Sequence, residues 1–104
     1  MIVQFNNAYL EKLFEGKPVS GKPRYSSEVI TKFKKTVLKL AYADNLREIK
    51  LQKGLNFETL KGNLKGFSSV RVDYSHRLIL TIDKDETVTI NEIITIHDLT
   101  NHYQ

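Results

Sequence analysis

Three segments in the last third of the chain alternate between apolar and polar residues, and this alternation limits the fold more than any other feature of the sequence. In residues 67–73, Val70 and Val72 fall on one side and Ser69, Arg71 and Asp73 on the other. In residues 77–83, Leu78, Leu80 and Ile82 oppose Arg77, Ile79 and Thr81. In residues 88–96, Val88, Ile90, Ile94 and Ile96 are in phase, and Glu92 breaks the run. A period of two is the mark of a strand that buries one face. The first two segments are read as an antiparallel hairpin. Glu92 points to a bulge or an edge position. Residues 83–86 read as a turn, and residues 97–104 as a polar tail with at most one helical turn.

A parity rule follows. Directly opposed residues of an antiparallel pair point to the same face. With Val70, Val72, Leu78 and Leu80 on one buried face, the numbers of paired residues sum to an even number, and Val72 pairs with Leu78. Arg71 and Arg77 then lie together on the other face, near the same end of the hairpin. The sheet has one helix-covered face and one face with two guanidinium groups, which suits a polyanion.

The first half of the chain reads as helical. Residues 1–5 form a short strand. Asn6 or Asn7 caps a helix over residues 8–15, with Tyr9, Leu10, Leu13 and Phe14 at helical spacing and Gly16 as the stop. Residues 17–25 hold both prolines and form a loop. Ser26 or Ser27 opens a second helix. Its apolar stripe is Ile30, Phe33, Val37, Leu40 and Ala41, and Lys32, Lys35 and Lys39 sit on the other side. The helical pattern fades near Asp44. Residues 46–60 are the least readable, with a short helix or turn over 46–51 and an irregular segment through Gly54. Residues 60–66, with two glycines and two lysines, form a loop.

At 104 residues the chain is a single domain, 1–104, large enough for one modest core. It has no cysteine, which excludes disulfide frameworks, thiolate metal sites and a cysteine nucleophile. No apolar run approaches the ~20 residues of a membrane span. The N-terminus lacks the pattern of a signal peptide. The expected location is the cytoplasm. The net charge of +4 is uneven: residues 17–77 carry 14 Lys/Arg against 5 Asp/Glu, whereas residues 78–104 have a balance of −4. A small domain with so basic a middle is a candidate for binding nucleic-acid phosphate.

The segment Leu60-Lys61-Gly62-Asn63-Leu64-Lys65-Gly66-Phe67-Ser68-Ser69-Val70-Arg71-Val72 resembles the "LKGxxKGxxSIRV" stretch of HigB-type toxins. Arg77-Leu78-Ile79-Leu80 resembles the "YRLIF" strand of the same group, within the RelE/ParE superfamily of toxin–antitoxin systems. The order of elements agrees over nearly the whole chain. The resemblance implies a small α+β, RelE-like fold, with two N-terminal helices packed on one face of a curved, mostly antiparallel sheet. It implies a toxin that cleaves messenger RNA on the ribosome with no cofactor and no metal. In that chemistry a 2′-hydroxyl attacks the adjacent phosphate and leaves a 2′,3′-cyclic phosphate and a 5′-hydroxyl. The implied partners are the ribosome, messenger RNA and a helix-turn-helix, HigA-like antitoxin, with operator DNA reached only through the antitoxin complex.

The residues that match the family pattern carry the expected roles. Charge develops on the phosphate and on the leaving oxygen, and without a metal it needs cationic side chains. Arg77 matches the superfamily arginine at the start of the second hairpin strand and is the first choice for the phosphate. The plain alternative is an exposed strand arginine paired with Asp73. Lys61 matches the lysine of "LKG", a position used at the active site in HigB-like enzymes. Arg71 matches the arginine of "SIRV" and either positions phosphate or acts in catalysis. Lys65, Lys32, Lys35 and Lys39 are further phosphate-binding candidates. Superfamily toxins put a His or Arg at the end of the last strand and a His or Tyr in the closing segment. His97 fits the first place, and His102 and Tyr103 the second. The tail departs from HigB proteins that end in "DYH" directly after the last strand, so which histidine is catalytic stays open. His76 reads as a turn residue.

A non-catalytic, ParE-like inhibitor of DNA gyrase on the same fold is the alternative, as is an inactive member that only binds an antitoxin. The set of Lys, Arg, His and Tyr favours the ribonuclease. A zinc site and a Ser–His–Asp hydrolase find no motif here.

Overall fold

Two side-chain oxygens start the main helices. Asn7 Oδ1 accepts the Leu10 N–H at 3.1 Å and opens α1 (Ala8–Glu15). Ser26 Oγ accepts the Val29 N–H at 3.2 Å and opens α2 (Ser27–Tyr42). Each satisfies an N–H that has no partner inside its helix. Gly16, at φ 74°, closes α1 with a left-handed cap, which a residue without Cβ adopts freely. The structure, a computed structural model, describes residues 1–85 and 91–101.

Five strands form one sheet: β1 (Ile2–Phe5), β2 (Glu58–Thr59), β3 (Ser68–Arg71), β4 (Arg77–Asp85) and β5 (Asn91–Thr100), in the order β1-β5-β4-β3-β2. β1 runs parallel to β5, and every other pair is antiparallel. The helices cover one face. Leu10 and Leu13 of α1 and Val29, Phe33, Val37 and Leu40 of α2 share a core with Val70, Leu78, Leu80, Ile94, Ile96 and Leu99 of the sheet. The expected α+β arrangement holds. Among the described residues no helix is long and apolar enough to cross a membrane.

Several local expectations change. The parity of the β3–β4 hairpin is even, as expected, but the register differs by two residues: Leu78 pairs with Val70, not Val72. The reason is a tight turn. The Val72 N–H reaches the His76 carbonyl at 2.9 Å, and Asp73 Oδ1 accepts the N–H groups of Ser75 and His76. The expected turn over 83–86 is strand as far as Asp85, and Glu86 lies outside the described residues. The last strand does not stop at Ile96 but runs to Thr100, because Leu99 is a core residue at 2 % exposure. Val88 and Ile90 lie outside the described residues. Glu92 is not the bulge: it pairs with Lys84 in regular register, and its Oε1 accepts the Leu46 N–H at 3.0 Å. Its carboxylate thus caps α3 (Leu46–Leu51), beside Asn45, whose Oδ1 accepts the Glu48 N–H. The bulge falls at His97 instead, since Ile79 pairs with Asp98 while Leu80 pairs with Ile96. In the stripe of α2, Val29 and Thr36 are buried, and Ile30 and Ala41 flank the core rather than fill it.

The hairpin turn also makes stability pH-dependent. Burial alone pushes the Asp73 pKa up, but the hydrogen bonds from Ser75 and His76 outweigh it and hold the carboxyl below its ordinary 3.8. A carboxyl lowered on folding stabilises the fold above its unfolded pKa and loses that contribution as pH falls through the folded one. Stability of the wild type should therefore decline as pH drops below 3.8, and Asp73→Asn should lack that component. Urea unfolding across an acid pH series checks this.

Candidate active site

The face of the sheet turned away from the helices is set by strand alternation. It carries Arg71 and Arg77, which are direct partners across β3 and β4, and the row Glu58, Ser69, Ile79 and Asp98 next to them. The pairing of the two arginines on one face agrees with the parity rule. Their exposure does not. Arg71 is exposed, but Arg77 is only 3 % exposed. Arg77 Nε donates to Ser69 Oγ at 2.9 Å, and Nη2 donates to the Asn56 carbonyl at 2.5 Å and more weakly to the Ser69 carbonyl. Ser69 is itself fully buried. The image of two solvent-facing guanidinium groups is thus corrected. The turn Lys53–Leu55 brings Asn56, at φ 43°, over the end of β3, and its carbonyl takes up the Arg77 side chain. The exposed arginine paired with Asp73 is also set aside.

The Leu-Lys-Gly-Asn-Leu-Lys-Gly segment is a compact loop with a physical reason for both glycines. Gly62 and Gly66 have φ of 66° and 94°, where a side chain is strained. One 3₁₀ turn, Gly62–Leu64, holds the loop, and the Leu60 N–H bonds the Phe67 carbonyl at 2.9 Å to close it. Lys61 and Lys65 are exposed on this loop.

His97 stands beside the loop. Its ring meets the edge of Phe67 at 5.1 Å. Nε2 is 2.9 Å from Thr81 Oγ1, and Nδ1 is 3.4 Å from Asn6 Nδ2. Asn7 Nδ2 donates to the His97 carbonyl at 3.1 Å. Along β3, Arg71 lies four residues from Phe67, a span of about 13 Å. Lys61, Lys65 and His97 therefore mark one end of the face and Arg71 over Arg77 the other. His102 and Tyr103 lie outside the described residues.

Lys32, Lys35 and Lys39 do not join this group. They are exposed on α2, and the helices lie on the opposite side of the sheet. Lys32 pairs with Glu28 at 3.4 Å on the surface. Lys35 and Lys39 border a separate groove of about 460 Å³, floored by Leu38, Tyr42 and Ala43. Tyr42 is 82 % exposed there. His76, read as a turn residue, is one: Nδ1 is 3.0 Å from Asp73 Oδ1.

The residues around the site that the sequence reading missed are Ser69, Asn56, Glu58, Thr81, Phe67 and Asn6. Strand parity already placed Ser69 and Thr81 with the arginines, and the same rule extends to Phe67. Asn56, Glu58 and Asn6 come from distant segments and had no such signal.

A family model described as a RelE-like toxin of the type II toxin–antitoxin system HigB matches residues 3–97. The chain belongs to the HigB-like toxin family. A sequence search of curated proteins gave no significant match. Solved structures of similar shape include the YoeB/ParE toxin from Agrobacterium tumefaciens, at 17% identity and TM-score 0.56, covering 99% of this chain and 100% of that one. A chain of the heterotetrameric YoeB–YefM toxin–antitoxin complex from Staphylococcus aureus covers 99% of this HigB-like toxin and 98% of itself, at 22% identity and TM-score 0.57. YafQ from E. coli strain BL21(DE3) matches at 15% identity and TM-score 0.56, over 96% and 91% of the two chains. At these identities the likeness is one of fold. The HigB-like toxin is thus a RelE-like type II toxin, the kind of protein that pairs with an antitoxin.

Proposed function

We propose that this HigB-like toxin is a ribosome-dependent messenger-RNA endoribonuclease of the cytoplasm, needing neither metal nor cofactor. The ribose 2′-hydroxyl attacks the adjacent phosphorus, the P–O5′ bond breaks, and the products are a 2′,3′-cyclic phosphate and a 5′-hydroxyl. The observation that carries this reading is the outward face of the sheet, with His97 and the Lys61–Lys65 loop at one end and exposed Arg71 over buried Arg77 at the other. Arg71 lies directly across the ladder from Arg77 and is exposed, so its guanidinium is open to a phosphate. Arg71, Lys61 and Lys65 are assigned to the phosphates. Arg77 is assigned a positive field from beneath the face, together with the shaping of Ser69 and Asn56. His97 is assigned proton transfer, with His102 and Tyr103 as further candidates from the closing segment.

The experiment is 5′-end mapping of messenger RNA in a reconstituted translation reaction, with and without the protein. New ends inside translated codons, only when ribosomes are engaged, are expected. Their absence, where a known cleaving toxin works, would move the assignment to a gyrase inhibitor or an inactive antitoxin binder.

The antitoxin is proposed to be HigA-like, with a helix-turn-helix that carries the complex to operator DNA. The groove on α2 suits a helix from such a partner. Leu38 and Tyr42 offer apolar area, and Lys35 and Lys39, which have no acid partner among the described residues, suit acidic side chains. Glu48, on the other rim, is engaged by the Asp44 N–H at 2.7 Å. Leu38→Glu with Tyr42→Glu should weaken antitoxin binding about tenfold or more and leave cleavage intact, as read by calorimetry and end mapping.

A further inference from the structure

His97 is the extra residue of a β-bulge, and both its backbone and its ring are held by neighbours. A regular β5 would carry the alternation of Ile94 and Ile96 on to Asp98 and turn Leu99 outward. The bulge instead returns Leu99 to the core and leaves His97 on the outward face next to Thr81. Bulges re-aim side chains in this way. The turn between β1 and α1 then grips the bulge backbone. The Asn6 N–H bonds the Ile96 carbonyl at 2.8 Å, and Asn7, which caps α1, also donates to the His97 carbonyl.

The side-chain contacts select a tautomer. Asn6 presents Nδ2, which carries only hydrogens, to His97 Nδ1. A neutral ring that satisfies both contacts in this arrangement accepts at Nδ1 and carries its proton on Nε2, toward Thr81 Oγ1. The two bonds are unequal. The Thr81 bond is short and partly buried, whereas the Asn6 bond is long and exposed. Nδ1 therefore sits on the exposed contact and Nε2 on the partly buried one.

We infer that Asn6 and Thr81 are positioning residues that hold His97 as its Nε2–H tautomer, with the Nδ1 lone pair offered to RNA as a general base. The inference rests on the ribonuclease reading for its substrate. Nδ1 takes the proton of the ribose 2′-hydroxyl as the Asn6 amide gives way. The 2′-oxygen forms its bond to phosphorus, the P–O5′ bond breaks, and the 5′-oxygen takes a proton from solvent water. Fixing the tautomer matters because a ring that placed its proton on Nδ1 would offer no lone pair there. Phe67 sets the plane of the ring from the side.

The test uses the full chain with ¹⁵N-labelled histidine, and His97→Gln assigns the resonance. Long-range ¹H–¹⁵N spectra of the neutral ring should show a proton on Nε2 and a bare Nδ1. Thr81→Val keeps the shape and removes the acceptor. It should raise the Nδ1–H share and slow cleavage about tenfold, and Thr81→Ser should restore both. Asn6→Asp places an acceptor at Nδ1. It should invert the tautomer and lower kcat about 100-fold with KM unchanged, within the range of general-base effects. An unchanged tautomer in both variants overturns the clamp, whatever cleavage does. A changed tautomer with cleavage intact overturns the base role of His97, and the base is then another group on this face, such as Glu58. If no variant and no wild type cleaves, the ribonuclease reading fails, and the spectra still decide the clamp.

Discussion

Replacing Arg77 with alanine should abolish growth arrest and destabilise the fold by about 2–5 kcal/mol at the same time. The side chain is buried, and its N–H groups serve Ser69 Oγ, the Ser69 carbonyl and the Asn56 carbonyl. Removing them leaves buried acceptors unsatisfied, each worth about 1–3 kcal/mol. It also leaves a cavity beneath β2 and β3. Against a total stability of about 5–15 kcal/mol for a domain of this kind, that loss is large. Arg77→Lys keeps the charge but not the fork of donors. It should recover part of the toxicity and only part of the stability. Urea unfolding and growth curves on the same variants test both halves. An Arg77→Ala protein as stable and as toxic as the wild type would remove Arg77 from both the site and the core.

Arg71→Ala should lose activity without losing stability. Arg71 is exposed at the end of β3, directly across from Arg77. Its loss should leave the unfolding free energy within about 0.5 kcal/mol of wild type, as for other exposed substitutions. Cleavage should fall about 100-fold, the scale seen when one preorganised charge-stabilising donor is removed. Combining it with Lys61→Ala should deepen the loss, because the two residues lie at opposite ends of the face. End mapping with quantified cut sites separates the outcomes. If Arg71→Ala cleaves at the wild-type rate, the exposed cations of this face do not bind the scissile region. The contrast between neighbouring arginines is the sharper test, since parity alone treats them as equals.

That contrast also marks where reading the chain stops. Alternation in residues 67–73 and 77–83 was enough to pair Arg71 with Arg77 on one face, because side-chain direction in a strand follows residue number. Local capping chemistry was equally legible. Asn7, Ser26 and Gly16 act over three or four residues, and they do in the fold what their types imply. The glycines of the Lys61–Lys65 loop belong to the same class, since a positive φ is a local demand.

What failed was anything set by the meeting of distant segments. The burial of Arg77 depends on Asn56, 21 residues away, arriving through a segment with no periodic pattern. The capping role of Glu92 depends on Leu46 in α3. The bulge at His97 arises because both Ile96 and Leu99 must enter the core, a packing demand that alternation by itself cannot reveal. The clamp on its ring draws Asn6 from one end of the chain and Thr81 from another strand. The sequence by itself determined the α+β class, the antiparallel hairpins, the helix ends and the shared face of the arginines, all of which follow from periodicity and near-neighbour hydrogen bonding. Only the tertiary structure decided which arginine meets solvent and which side chains meet the ring of His97, because burial and long-range hydrogen bonds exist only once the segments have packed.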